Sequence, residues 1–178
     1  LARQIQLSSL PSVFPEDKQV DLYAGMVTAK EVGGDIYDFY KTSSTVLNFL
    51  IADVSGKGIP ASLFMMRSKT ELKTLTESGL PIDQVFTAAN SALCEGNDAG
   101  MFLTAWQGTL DFNSGEVNFV NAGHNPPLVY RKDSGFEYIK EKKDFILAGM
   151  DGLTYQKQTI KLNDGDAIFL YTDGVTEA

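Results

Sequence analysis

Three short motifs place an aspartate beside glycines at the end of a predicted strand, and they constrain this chain more than any other feature. The motifs are residues 33–38 (GGDIYD), 53–58 (DVSGKG) and 172–175 (TDGV). A carboxylate at a strand end lies at the rim of a sheet, and an adjacent glycine lets a hard cation or a phosphate approach the backbone. Three such rims indicate a divalent-metal site built from carboxylates that are distant in sequence. Sites of that kind are typical of metal-dependent hydrolases that act on phosphate.

Length, charge and cysteine content narrow the class of protein. The 178 residues suffice for one domain with a large core. The chain has 15 Lys and Arg against 23 Asp and Glu and no basic run, so we expect no binding to nucleic acid. Cys94 is the only cysteine, which excludes an intrachain disulfide and a zinc–cysteine cluster. Because no signal peptide or membrane-spanning apolar run is present, we expect a cytoplasmic protein without direct membrane contact.

The apolar patterning predicts an α+β fold. Strands are predicted at residues 20–27, 35–41, 45–53, 101–111, 116–122, 127–131, 136–139, 155–161 and 167–171. Helices are predicted at residues 60–78 and 81–95. The apolar set of the first of these helices is Leu63, Phe64, Met66, Leu72 and Leu75. Many antiparallel strands around one helical pair favour two packed, mainly antiparallel sheets with helices outside them.

The two ends of the chain look like parts of longer elements. Residues 1–10 begin inside a helical pattern, with positions 1 and 5, followed by either Leu7 or Ser8, at helical spacing. The prolines at 11 and 15 end that helix. We therefore interpret residues 1–15 as a linker helix from an upstream module and residues 16–178 as the main domain. The chain stops directly after the TDGV motif, so we expect the domain to continue beyond Ala178.

The DVSGKG motif allows several interpretations. Asp53 ends the apolar run of residues 47–52, where a charged side chain is costly unless it is paired or bound to a metal. A turn followed by a helix N-cap would by itself explain the glycines and Ser55. A phosphate-binding loop of the type G-x-x-x-x-G-K-[ST] is disfavoured, because Lys57 is followed by Gly58.

The GGD motif is weaker when it is taken alone. Two glycines allow a bulge or a close backbone approach, but for a lone Gly-Gly-Asp a turn with an aspartate cap is the favoured explanation. Diguanylate cyclases also use such a turn, but there an acidic residue and a phenylalanine follow, whereas Ile36 and Tyr37 follow here. A nucleotide-cyclising enzyme is therefore a distant third hypothesis.

His124 is the only histidine, within the segment NAGHNPP. A Ser-His-Asp triad would have to use it, but no G-x-S-x-G segment supplies the serine. The side chain could bind a metal, act as an acid or hold its loop by hydrogen bonds, and we favour the last role. Without a second histidine a zinc site is not expected.

Six segments together carry a resemblance to a known family. In chain order they are EVGGDIYDFY, IADVSGKGIPASLFM, FLTAWQGTLD, FVNAGHNPPLVY, LAGM and DAIFLYTDGVTEA. This order is similar to that of the SpoIIE/RsbU-type bacterial phosphatases, which belong to the PPM class of metal-dependent serine/threonine phosphatases. The resemblance covers residues 4–178 and implies a PPM-type α-β-β-α sandwich with metals at one end.

The resemblance also implies a set of metal ligands. Asp53 would bridge two Mn²⁺ or Mg²⁺ ions, and Val54 would supply a backbone carbonyl. Asp35 would support a metal directly or through water, and Asp173 would bind one ion. A further family aspartate would lie beyond Ala178. These are hard oxygen ligands suited to such cations, and an activated water would make a covalent intermediate unnecessary.

The function implied is a protein serine/threonine phosphatase, a hydrolase of bacterial stress-response signalling. Its expected substrate is a phosphorylated anti-sigma-factor antagonist. An upstream sensor or receiver in the same polypeptide and a homodimer through the N-terminal helix are further expectations. The alternative is a catalytically impaired regulatory module that binds the same kind of partner. Lys57 and Arg67 are the nearest candidates to grip a substrate phosphate, and neither is favoured.

A regulatory hypothesis follows from adjacency in the sequence. Six residues join Asp53 to the predicted helix that begins at Pro60, so a shift of that helix would move the carboxylate with it. We expect upstream signals to act through the N-terminal helix on this helix and thereby to change metal occupancy.

Overall fold

Eight strands and four helices make up the part of the chain that the structure describes. The structure is a computed structural model that describes residues 2–27 and 33–177. The helices are α1 (Ala2–Ser9), α2 (Ile59–Glu77), α3 (Ile82–Cys94) and α4 (Asp173–Thr176). The strands are β1 (Asp35–Ser43), β2 (Val46–Val54), β3 (Leu103–Asp111), β4 (Glu116–Ala122), β5 (Leu128–Arg131), β6 (Gly135–Tyr138), β7 (Gln158–Lys161) and β8 (Ala167–Phe169).

The strands pair into two antiparallel sheets. The larger sheet has five strands in the order β1-β2-β3-β4-β7, and the smaller has three in the order β6-β5-β8. Every pairing between these strands is antiparallel. The α+β class with two packed antiparallel sheets and helices, predicted from the sequence, is confirmed.

Two apolar clusters hold the layers together. The first lies between α2, α3 and the five-stranded sheet and includes Ala52, Met65 and Phe86. The second lies between the two sheets, where Trp106 stacks on Phe119 with ring centroids 5.0 Å apart. Successive residues of a strand point to opposite faces, so adjacent residues of the central strands belong to different clusters. The five-stranded sheet is therefore apolar on both faces.

Helix α2 begins and ends close to the proline and the glycine that predict its two ends. Pro60 occupies the first turn, and Gly79 follows the helix with φ 86°, a conformation that favours glycine. Its buried face differs from the predicted apolar set, because Leu63 is 66 % exposed while Met65 and Ser68 are buried. The sequence window held more apolar residues than one helical face can bury, so spacing alone did not select between them.

The predicted strand at residues 20–27 is wrong. Within that range only Val20 takes part in a β-bridge, with Asp17, and no strand forms. Tyr23 and Val27 are 90 % and 96 % exposed. An alternating pattern alone does not specify a strand, since β1 is an edge strand of the five-stranded sheet and yet residues 20–27 do not pair with it.

The predicted apolar face of the N-terminal helix is also wrong. Position 1 lies outside the described residues, and Ile5 and Leu7 are 56 % and 41 % exposed. The buried side chains of this segment are those of Gln6 and Leu10. No helix in the described ranges is long and apolar enough to cross a membrane.

Candidate metal centre

The pairing of β1 with β2 brings two of the three motif aspartates together. Asp35 lies directly opposite Asp53 in the antiparallel register, and Asp53 in turn lies opposite Thr104 of β3. Side chains at directly opposed positions share one face of a sheet and come within contact distance. The first residue of β1 and the penultimate residue of β2 thus form a pair of half-buried carboxylates at one end of the sheet.

The TDGV segment approaches the same end of the sheet. The Thr172 hydroxyl donates a hydrogen bond of 3.1 Å to Oδ2 of Asp35. The next residue, Asp173, begins α4 and is exposed. Its negative charge contributes to raising the pKa of both Asp35 and Asp53. All three motifs therefore meet at this end of the sheet, with Asp173 at its solvent side.

The glycine before Asp35 is required by a close backbone approach. A Cβ atom at Gly34 would lie 2.5 Å from the Val54 carbonyl oxygen and 3.2 Å from Oδ1 of Asp53. The Val54 amide donates a hydrogen bond of 3.3 Å to the Gly34 carbonyl oxygen. Only glycine fits here, so the Gly34 backbone packs directly against a main-chain carbonyl and a carboxylate.

Burial and the neighbouring carboxylates raise the pKa of both members of the Asp35–Asp53 pair. Burial, followed by the charges of Asp35 and Asp173, raises the pKa of Asp53 to about 7. Burial also raises the pKa of Asp35, against the hydrogen bond from Thr172. In the described part of the chain, no salt bridge involves any of these three residues.

This donor set fits a hard divalent cation in its chemistry. Oxygen atoms of Asp53 and the Val54 carbonyl lie close to Gly34, and Asp35 lies opposite Asp53. A cation bound here would relieve the repulsion between the carboxylates. Across residues 2–27 and 33–177, no group of three or more His, Cys, Asp and Glu side chains is arranged so that it could hold a metal ion. Asp173 thus contributes charge here but does not complete a carboxylate triad.

Comparison with known proteins agrees with this architecture. The family model for Stage II sporulation protein E (SpoIIE) matches residues 43–178. The chain belongs to the SpoIIE family. The family resemblance drawn from the six segments is therefore confirmed, and the rest of the site can be described as that of a SpoIIE domain.

Two curated relatives and three solved structures are similar to this SpoIIE domain. The phosphoserine phosphatase RsbU of Bacillus subtilis (strain 168) is 33% identical over 177 residues, which are 99% of this chain and 52% of RsbU. The phosphoserine phosphatase RsbP of the same strain is 28% identical over 182 residues, covering 99% of this chain and 44% of RsbP. The chain thus spans about half the length of the curated relatives it matches.

The structure of the RsbU and RsbW domains of Rv1364c from Mycobacterium tuberculosis matches with a TM-score of 0.75 and 29% identity, over 85% of this chain and 42% of that one. The PP2C phosphatase domain of SpoIIE from Bacillus subtilis has a TM-score of 0.72 and 20% identity, over 82% and 42%. A structure of RsbX in complex with magnesium has a TM-score of 0.67 and 17% identity, over 82% and 69%. The fold is that of PP2C-type phosphatase domains.

The DVSGKG loop of this SpoIIE domain is held against the start of β3. The Ser55 amide donates to the Phe102 carbonyl oxygen at 2.8 Å, and the Phe102 amide donates to Oγ of Ser55 at 3.0 Å. Gly56 and Gly58 have φ values of 86° and 79°, which explains both glycines as turn residues. The N-cap of α2 is Gly58 without a side-chain hydrogen bond, so Ser55 fixes the loop rather than capping the helix.

His124 holds its loop by hydrogen bonds, as predicted, and it also reaches the TDGV segment. Its amide and carbonyl groups both pair with the Asn121 side chain. Ring Nε2 donates to the Tyr171 carbonyl oxygen at 3.0 Å, and Nδ1 accepts from the Thr104 hydroxyl at 2.9 Å. The ring therefore joins the residue opposite Asp53 to the segment that leads to the third motif.

Asp38 and Arg67 have partners other than the carboxylate pair. Asp38, the second aspartate of GGDIYD, is 3 % exposed and lies 3.3 Å from Nζ of Lys69 on α2. Arg67 donates to the carbonyl oxygens of Ala92 and Glu95 at the end of α3, which explains it as a structural residue.

Sequence reasoning missed the second roles of Thr172 and His124. The hydroxyl of Thr172 stood within the quoted TDGV motif, but its partner Asp35 is 137 positions away. No local spacing predicts such a contact, since it arises from the packing of the two sheets.

Proposed function

We propose that this SpoIIE domain is a metal-dependent protein serine/threonine phosphatase that hydrolyses phosphoserine or phosphothreonine on a signalling protein. The observation that carries the proposal is the Asp35–Asp53 pair, beside which the Val54 carbonyl oxygen packs close to the Gly34 backbone. Neither aspartate of the pair belongs to a salt bridge in the described part of the chain. Without an added cation, the two carboxylates would repel a phosphate ester. The names of RsbU and RsbP, both phosphoserine phosphatases, support the same reaction class.

The proposed ligands are Asp35, Asp53, Asp173 and the Val54 carbonyl, for two Mn²⁺ or Mg²⁺ ions. When bound, such ions supply a water of lowered pKa and neutralise phosphate charge. The chain's part is to hold this geometry. Thr172 orients the Asp35 carboxylate, and Gly34 allows the backbone to pack close to the Val54 carbonyl oxygen. Hydrolysis by an activated water requires no cysteine or serine nucleophile.

The substrate we propose is a phosphorylated anti-sigma-factor antagonist, and its identity rests on the family. Residues 1–15 would join the domain to an upstream sensor or receiver, with α1 available for homodimer contacts through its exposed Ile5 and Leu7. The expected location of the protein is the cytoplasm.

The experiment is hydrolysis of a phosphoserine protein by the wild type, Asp53→Asn and the control Asp133→Asn, whose exposed aspartate lies in the β5–β6 turn. We expect turnover only with Mn²⁺ or Mg²⁺, and a loss of orders of magnitude in Asp53→Asn alone, because an amide cannot replace a carboxylate between two cations. Undiminished turnover in excess chelator would refute the metal requirement.

A second candidate is a catalytically impaired regulatory module. The exposed position of Asp173, outside any described three-carboxylate group, favours it. This candidate predicts that the domain binds the phosphorylated partner but leaves its phosphate intact at every metal concentration.

A further inference from the structure

Helix α1 buries an amide side chain against the first metal-centre motif. Gln6 is 3 % exposed, although its neighbours Ile5 and Leu7 are 56 % and 41 % exposed. Its Nε2 donates to the Gly33 carbonyl oxygen at 2.7 Å, and its Oε1 accepts from the Gly33 amide at 3.1 Å. The side chain and the backbone of one residue thus form a closed pair of hydrogen bonds.

This pairing is chemically specific. Among side chains of this length, only a primary amide can donate one hydrogen bond and accept another in the same plane. A buried polar group is costly unless it is hydrogen-bonded, so α1 keeps Gln6 buried only while Gly33 stays in place. An apolar residue could fill the same position but could not fix the Gly33 backbone.

Only Gly34 separates Gly33 from Asp35, the first aspartate of the carboxylate pair. Its neighbour Gly34 accepts the hydrogen bond of the Val54 amide and borders both the Val54 carbonyl and the Asp53 carboxylate. The next residue, Asp35, begins β1 opposite Asp53. A movement of the turn at Gly33 would therefore change the positions of the Asp35 carboxylate and of the Gly34 backbone relative to Val54 and Asp53.

We propose that Gln6 is a positioning residue of the metal centre, fixing the turn from Gly33 to Asp35 so that its oxygen donors are set before a cation binds. The proposal rests on the proposed function. Partners that hold metal ligands in place typically contribute 10–100-fold to metal affinity, so loss of the Gln6 pair should weaken binding by about 10-fold or more.

The test compares Gln6→Met, which keeps length and helix propensity but removes both hydrogen bonds, with Gln4→Met, an exposed position on the same helix. Mn²⁺ affinity is measured by calorimetry and turnover is measured over a range of Mn²⁺ concentrations. We expect Gln6→Met to raise the Mn²⁺ dissociation constant by about 10-fold or more, with turnover at saturating Mn²⁺ within about threefold of the wild type. Gln4→Met should match the wild type.

A second readout needs no metal. In the metal-free protein, hydrogen exchange of the Val54 amide should accelerate in Gln6→Met and stay unchanged in Gln4→Met, because the Gly34 carbonyl oxygen that accepts it is no longer held. If Gln6→Met does not fold, Gln6→Glu keeps the acceptor for the Gly33 amide and loses only the donor. That variant should still weaken Mn²⁺ binding severalfold.

The outcomes separate the two proposals. Wild-type affinity and unchanged Val54 exchange in the Gln6 variants would overturn the positioning role and leave the phosphatase proposal standing. Failure of the wild type to bind Mn²⁺, or equal affinity in Asp53→Asn, would instead overturn the metal centre and the positioning role with it.

Discussion

At the scale of single residues, the contacts of His124 determine which of its ring nitrogens carries the proton. The Tyr171 carbonyl oxygen can only accept a hydrogen bond, so Nε2 carries the proton. Burial lowers the pKa of His124 to about 4, against the effect of the Tyr171 hydrogen bond. The ring is therefore neutral near pH 7, with Nδ1 free to accept from Thr104.

This neutral ring predicts a loss of stability in mild acid. The unfolded chain protonates His124 near pH 6.5, whereas the folded chain does so only near pH 4. Between these values the unfolded state binds more protons, so the His124 contribution to the free energy of unfolding falls as the pH drops, by up to about 3 kcal/mol. Urea unfolding of the wild type and His124→Gln at pH 7 and pH 4.5 measures this difference.

The comparison with His124→Gln is needed because Asp53 changes the free energy of unfolding with pH in the opposite direction. Its raised pKa makes the metal-free folded state bind protons first, which favours folding as the pH falls. An identical pH dependence in the wild type and His124→Gln would contradict the neutral buried ring.

The glycines of the first and third motifs give a second residue-scale prediction. Gly34→Ala would place a methyl group 2.5 Å from the Val54 carbonyl oxygen and should destabilise the fold by about 1–3 kcal/mol. It should also weaken Mn²⁺ binding, because the added methyl group would displace the Val54 carbonyl and the Asp53 carboxylate, two of the proposed ligands. Gly174→Ala is the matched control, since its added Cβ approaches nothing closer than 4.0 Å. Equal denaturant midpoints for the two variants would show that the Gly34 backbone is not packed tightly against the Val54 carbonyl.

At the scale of secondary-structure elements, α2 is tied to β1 by a buried charge pair. Asp38 accepts from the Phe39 amide at 3.0 Å through Oδ1, while Oδ2 faces Lys69 at 3.3 Å without hydrogen-bond geometry. Burial raises the pKa of Asp38, and the Lys69 charge opposes that effect. Asp35 lies three residues away on β1, so this pair connects the helix to the strand that carries the first carboxylate.

Breaking this pair from the helix side should be costly. Lys69→Met leaves the Asp38 carboxylate buried without its partner and should destabilise the fold by about 3 kcal/mol. Adding Asp38→Asn, which keeps an acceptor for the Phe39 amide, should recover at least about 1 kcal/mol of that loss. Lys157→Met is the control, because Lys157 is exposed and belongs to none of the salt bridges of the described residues. Additive losses in the double variant, measured by urea unfolding, would argue against the pairing.

The elements that could be predicted from sequence are those whose pattern is complete within the segment. β1, β2, α2 and α3 combine a clear apolar period with glycine or proline at their ends, and all four lie within a few residues of the predicted ranges. The strand predicted at 20–27 does not form although β1 lies at a sheet edge, because alternation alone does not determine which segment pairs with an edge. α1 failed in its buried face because a polar side chain, Gln6, occupies the inner position.

At the scale of the whole molecule, the candidate site depends on sheet register, which sequence indicates only indirectly. The motifs indicated that Asp35, Asp53 and Asp173 belong together, and the register places the first two opposite each other. The supporting hydrogen bonds of Thr172, His124 and Gln6 join residues far apart in the chain. No period or motif encodes them, because they arise only after the layers have packed.

Metal binding should couple to global stability with a definite pH dependence. In the metal-free protein the pKa of Asp53 is raised to about 7, so the folded state binds more protons than the unfolded state between about pH 4 and 7. The contribution of Asp53 to metal-free stability is therefore lost as the pH rises through 7, and below that value protons compete with cations for the carboxylate. Mn²⁺ should accordingly stabilise the fold more at pH 8 than at pH 5.5. At a Mn²⁺ concentration 100-fold above its dissociation constant, the gain should be about 2.7 kcal/mol.

Thermal unfolding with and without Mn²⁺ at both pH values measures this gain in stability, and Asp53→Asn is expected to show none. The same Mn²⁺-dependent gain at pH 5.5 and pH 8 would mean that the cation binds elsewhere than at this carboxylate pair.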